Sequence, residues 1–116
     1  MAHPVVHFEV SGKDLDKLQS FYSELFGWKT QKAPGDMPYA MVEKEENGIG
    51  GGIGQSPDGN GHVTFYVGAD DPQAILDKAE QLGGKTVLPP VTELPQVTIA
   101  LFADPEGHVI GVAKGM

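Results

Sequence analysis

A chain of 116 residues with 40% apolar content has room for one compact unit, or two small ones that share a core, and is too apolar for wholesale disorder. It has no cysteine, which excludes disulfides, thiolate zinc sites, iron–sulfur clusters and cysteine nucleophiles and fits a reducing compartment. Sixteen acidic residues against eight lysines and no arginine give a net charge of −8, which repels nucleic acid and anionic membranes and removes forked arginine recognition of phosphate or carboxylate.

In chain order, Pro4 to Val10 alternates as a half-buried strand, with Val6, Phe8 and Val10 on one face and His7 and Glu9 on the other. Leu15, Leu18, Phe21, Tyr22, Leu25 and Phe26 recur at helical spacing, and Gly27 suits a left-handed stop. Trp28 to Ala33 and Tyr39 to Glu43 read as strands on either side of a Pro34-Gly35-Asp36 turn. Asn47-Gly48 reverses the chain, and Ile49 to Gly54 is a fourth, glycine-rich strand.

Residues 55–61 form a polar, glycine-rich linker, after which the pattern restarts. His62 to Val67 alternates Val63, Phe65 and Val67 against His62, Thr64 and Tyr66. Asp70-Asp71-Pro72 caps a second helix with Ile75, Leu76, Ala79 and Leu82 as its stripe, ended by Gly83-Gly84. Lys85 to Leu88 is a strand that ends at Pro89-Pro90, Val97 to Ala103 another, and His108 to Ala113 the last, after an Asp104-Pro105-Glu106-Gly107 turn. Each half therefore reads strand, helix, three strands, an internal repeat of 1–55 and 61–116 within one domain of residues 1–116, with His7 and His62 spaced nearly as Gly27 and Gly83. No apolar run is long enough to span a bilayer. Met1-Ala2-His3-Pro4 lacks the basic region of a secretory signal, so a cytoplasmic location is expected.

The chain resembles the vicinal oxygen chelate superfamily of glyoxalase I, bleomycin-resistance proteins, extradiol dioxygenases and fosfomycin-modifying enzymes. The match is carried by Val5–Val10, Asp14-Leu15, Phe21–Trp28, Gly61–Val67, Leu82–Lys85 and Phe102–Gly111. It implies an α+β fold of two paired βαβββ modules, whose sheet curls around a pocket, and two-fold dimers. In the metal-dependent members four ligands, usually histidines and glutamates, come from the first and last strand of each module. The resemblance puts His7 and His62 at the first-strand positions and Gly50-Gly51-Gly52 and Gly111 at the last-strand positions. Two imidazoles can engage zinc, nickel, manganese or iron, yet a tight site takes three or four protein ligands. Loss of both carboxylates removes charge neutralisation and the usual base together.

Several roles stay open. His7 and His62 are a metal pair, acid/base groups or structural histidines. Glu9 is a substitute ligand, a catalytic base or a solvated strand residue. Gly51 and Gly111 leave room for a ligand or for close approach of sheets or subunits. Tyr39, Thr64 and Tyr66 are expected to line the pocket, with Met37 and Met41 as lining or core. Trp28 and Phe21 pack in a core or interface, and Glu43 and His108 face solvent. The leading expectation is a small-organic-molecule binder in the pocket between modules, without an intact family metal site. Its rivals are a metal-dependent lyase, isomerase or dioxygenase that uses His7, His62 and a substitute acid, and an interaction module with no ligand.

Overall fold

Asp14 and Asp71 each start a helix in the computed structural model, which describes residues 2–92, 94 and 96–116. The carboxylate of Asp14 accepts from the Lys17 amide and that of Asp71 from the Ala74 amide. Each satisfies an amide that the helix itself leaves unpaired, worth about 1 kcal/mol. The element order is β1 (Val5–Gly12), α1 (Leu15–Phe26), β2 (Thr30–Lys32), β3 (Tyr39–Val42), β4 (Gly50–Gln55), β5 (His62–Gly68), α2 (Pro72–Gln81), β6 (Lys85–Val91), β7 (Thr98–Ala103) and β8 (Val109–Lys114). This is the expected α+β pattern of two βαβββ modules. Among the described residues no helix is long and apolar enough to cross a membrane.

The chain divides into two compact units, His7–Val63 and Met1–Val6 with Thr64–Met116. In the first, the strand order is β2-β3-β4-β1, with β1 parallel to β4 and the others antiparallel. One face of this half-sheet packs on α1. Leu15, Ala40, Val42 and Ile53 are buried there, with Phe8, Leu18, Tyr22 and Trp28 against them. A fully buried residue such as Ile53 stabilises by roughly 1.5–3 kcal/mol relative to exposure. Gly27 ends α1 at φ 72°, and its amide donates to the Ser23 carbonyl. The strand expected from Trp28 to Ala33 is shorter, because Trp28 turns onto Phe8, Tyr22 and Phe26 and does not join a ladder.

In the second unit the order is β5-β8-β7-β6, and Leu76, Ala100 and Val112 form the core with Ala69, Ile75 and Phe102. Here the expected end at Pro89-Pro90 is corrected: β6 continues to Val91. It is the terminal strand of the order and pairs with β7 through two register shifts, so the missing proline amides cost no central hydrogen bonds. The Asp104–Gly107 turn forms as read, with the Gly107 amide donating to the Asp104 carbonyl at 2.8 Å.

The repeat is offset differently from its histidines. The capping residues Asp14 and Asp71 share one offset with the register-equivalent residues Glu9, opposite Gly52, and Tyr66, opposite Gly111. That offset matches His7 with Thr64, not with His62, which opens β5 two residues earlier.

Candidate functional site

Strand parity sets the site. On the face of the first half-sheet turned away from α1, β3 presents Tyr39 and Met41, β4 presents Gly50, Gly52 and Gly54, and β1 presents His7, Glu9 and Ser11. The middle strand thus has no side chains on this face. A Cβ at Gly52 would overlap the Tyr39 hydroxyl and ring. Glycine there lets Tyr39 reach from β3 across β4 to β1, roughly two strand spacings or 9–10 Å.

The result is a connected polar chain. The Tyr39 hydroxyl donates to Glu9 Oε1 at 2.9 Å, so its oxygen accepts from His7 Nε2 at 2.8 Å. The His62 Nε2–H donates to Glu9 Oε2 at 2.7 Å. His62 Nδ1, 3.0 Å from the Ser11 hydroxyl, then accepts from it when the ring is neutral. The Glu9 side chain is only 13% exposed, whereas that of His62 is 51% exposed. His7 is 4% exposed, and burial pushes its imidazole below the usual 6.5, partly offset by the Glu9 charge. His7 is therefore neutral at pH 7.

Beside this chain lies a cavity of about 430 Å³ lined by Glu9, Ser11, Tyr39, Met37, Pro38, Gly54, His62 and the segment 55–58. Asp58 caps the rim. Hydrogen bonds from the Ser56 hydroxyl and the Asn60 amide hold its carboxyl below the ordinary carboxylate value. Ser11 and the 55–58 segment were not singled out from sequence. Ser11 continues the His7–Glu9 parity by two residues, a signal that was present. The placing of the linker beside β1 had no local signal.

In the second unit Thr64 is buried and its hydroxyl donates to the Val109 carbonyl at 2.7 Å. Tyr66 is 5% exposed, and its ring covers Gly111, where a Cβ would overlap it. The Phe8 ring covers Gly51 in the same way, on the α1 side of its sheet. The space over both glycines is thus filled by the chain's own aromatic rings. Phe21, placed by sequence in a core or interface, is 56% exposed. His108 is exposed and pairs with Asp104 at 2.9 Å, and Glu43 is exposed.

Tyr39 fills the place of a side chain at 52 and engages His7 Nε2, and among the described residues no three histidine or acidic side chains are grouped to hold an ion.

A family model described as a glyoxalase-like domain matches residues 7–113. A glyoxylase-like domain-containing protein of Didymella fabae is 27% identical over 90% of this chain and 91% of its own. The anthracycline biosynthesis protein DnrV of Streptomyces peucetius is 25% identical over 90% of this chain, which spans only 44% of that protein. Among solved structures, a glyoxalase/bleomycin resistance protein/dioxygenase superfamily member from Vibrio splendidus matches with TM-score 0.67 and 14% identity, covering 97% of this chain and 99% of that one. The methylmalonyl-CoA epimerase of Mycobacterium tuberculosis matches at 0.70 and 13%, over 97% and 87%. The Mn(II)-bound glyoxalase of Novosphingobium aromaticivorans matches at 0.68 and 18%, over 98% and 40%. At these identities the structural likeness speaks for the fold.

Proposed function

The chain belongs to the glyoxalase-like domain family, and from that premise we propose that it binds a small organic molecule in the cavity beside Glu9, without the metal centre of the metal-dependent members. The observation that carries this reading is the Tyr39 hydroxyl, which fills the space over Gly52 and joins His7 to Glu9. A hydrogen-bonded tyrosine–glutamate–histidine floor stands where a ligand set would need a carboxylate. The floor supplies fixed polar groups, and Met37, Pro38, Pro57 and the Tyr39 ring supply apolar wall. Polar groups that are already oriented cost little to order when a ligand arrives.

Ligand-induced thermal stabilisation tests the proposal. A metabolite and natural-product panel is screened in excess chelator, where a ligand at a hundred times its Kd adds about 2.7 kcal/mol. The expected hit survives the chelator and is lost in Met37→Trp, which fills the cavity from its exposed rim. Hits that appear only when a divalent metal is restored would replace this reading with the metal-dependent one. A blank panel removes it.

A further inference from the structure

Glu9 and Ser11 stand two residues apart on one face of β1, roughly 6–7 Å along the strand, and the His62 ring bridges them. Its Nε2–H donates to Glu9 Oε2 at 2.7 Å, and its Nδ1 lies 3.0 Å from the Ser11 hydroxyl. These two bonds fix the tautomer: in the neutral ring the lone pair is on Nδ1, beside the Ser11 O–H. Among the described hydrogen bonds this is the one that the Ser11 side chain makes. A hydroxyl on an imidazole, itself held by a carboxylate, is the constellation that activates serine as a nucleophile. Serine proteases set the serine on Nε2 and the acid on Nδ1; here the ring is turned end for end, and either nitrogen can do either task. Glu9 is a firm anchor, since its side chain is 13% exposed and the Tyr39 hydroxyl holds its other oxygen. Ser11 also borders open space twice. It lines the cavity beside Glu9 and a second one of about 810 Å³, whose walls include Lys13, Phe21 and Tyr22. A substrate centred on Ser11 therefore has room for a group on either side.

We propose that Ser11, His62 and Glu9 act as nucleophile, base and positioning acid in the hydrolysis of small aryl esters. Ser11 Oγ attacks the ester carbonyl carbon while His62 Nδ1 takes its proton, and Glu9 stabilises the imidazolium that forms. The carbon–oxygen bond to the leaving group then breaks, and Nδ1–H returns the proton to the departing phenoxide. Water attacks the acyl-serine next, giving its proton to Nδ1, and the carboxylic acid leaves as Ser11 recovers its hydrogen. Aryl esters suit this equipment because a phenoxide, the base of an acid of pKa about 10, leaves readily. The Tyr39 ring, Pro38 and Met37 also offer an aryl ring an apolar wall. This adds a reaction to the binding site read above, and the cavity can hold a ligand whether or not Ser11 reacts.

The test mixes the whole protein with p-nitrophenyl acetate, follows phenolate release, and maps the acetyl group by peptide mass after an acid quench. A fluorophosphonate, which gives activated serines a stable adduct, is the second label. Catalytic release is expected, with both labels on Ser11. Ser11→Ala abolishes the label and the catalysed rate, and His62→Gln lowers that rate about a hundredfold or more. Glu9→Gln is expected to lower kcat more than tenfold with KM little changed, because Glu9 acts through His62. Unassisted histidines also cleave such esters slowly, so His108→Gln is the matched control. His108 pairs with Asp104 at 2.9 Å, away from the cavity, and its loss is expected to leave the rate unchanged. No release and no label overturns the proposal, as does release that survives Ser11→Ala or falls as much in His108→Gln. A Glu9→Gln effect confined to KM overturns the relay. Should Glu9→Gln fail to fold, Ser11→Ala and His62→Gln still decide. The chelator-resistant panel reads binding separately: hits beside an unreacted Ser11 overturn the reaction and leave the cavity a binding site, and a labelled Ser11 beside a blank panel does the reverse.

Discussion

Among the described hydrogen bonds the Tyr39 hydroxyl accepts from His7 and donates to Glu9, and no other side chain in them joins β3 to β1 in this way. Tyr39→Phe keeps the ring over Gly52 and removes both bonds. Because His7 is buried, loss of its acceptor is expected to cost about 1–3 kcal/mol in urea unfolding, beyond the roughly 1 kcal/mol of an ordinary exposed bond. A loss below about 0.5 kcal/mol would show that the chain is ornamental. His7 also gives stability a pH dependence. Its folded pKa is lowered, chiefly by burial, while the unfolded chain keeps the ordinary 6.5. The unfolded state therefore binds more protons as pH falls below that value. The stability gained from a neutral buried ring is fully present above 6.5 and drains away as pH drops toward the folded pKa, by at most about 1.4 kcal/mol per pH unit. Between pH 7.5 and 5.5, wild type is expected to lose more unfolding free energy than His7→Gln, which shares every other titrating group. Parallel losses in the two proteins would mean that His7 does not titrate differently on folding.

At the scale of strands and helices, the glycines of the two last strands act by omission. Gly51, Gly52 and Gly111 receive the rings of Phe8, Tyr39 and Tyr66, each from a neighbouring strand. Gly111→Ala pushes a methyl into the Tyr66 ring, which is 5% exposed and has little room to yield. The expected cost is about 1–3 kcal/mol of overpacking. Gly48→Ala, at a site with open space and no left-handed backbone, is the matched control and is expected to stay within about 0.5 kcal/mol. Thermal unfolding of the two variants decides it, and equal melting temperatures would mean that the Tyr66 ring simply moves aside. The same contrast explains what could be read in advance. Both helices were legible because their signals are local: a capping aspartate, a 3.6-residue stripe, a glycine stop. Strand alternation put His7 and Glu9 on one face for the same reason. The passage of β6 through Pro89-Pro90 was not legible, since it depends on β6 lying at the edge of its sheet. Nor was the reach of Tyr39, which needs the register of three strands at once.

Over the whole molecule the dominant feature is charge. Sixteen acidic residues face only eight lysines, and the ion pair of Lys32 with Asp16, at 2.6 Å, joins two exposed side chains. Such a pair contributes about 0–1 kcal/mol and weakens as salt screens it. Screening also relieves repulsion among the surplus carboxylates, which oppose compaction. The two effects have opposite signs, and the surplus of acids over lysines decides between them: relief of repulsion is spread over many residues, while loss of attraction falls on few. Raising NaCl from low to near-physiological strength is therefore expected to increase stability by about 1 kcal/mol, a rise of roughly 4 °C in melting temperature for a chain of 116 residues. The gain should flatten once the screening length falls below the spacing of surface charges, about 10 Å at 0.1 M. Sucrose at matched osmolality separates this from general exclusion effects, because it strengthens burial without screening. A melting temperature that falls with NaCl would show that attractive pairs outweigh the acidic surplus.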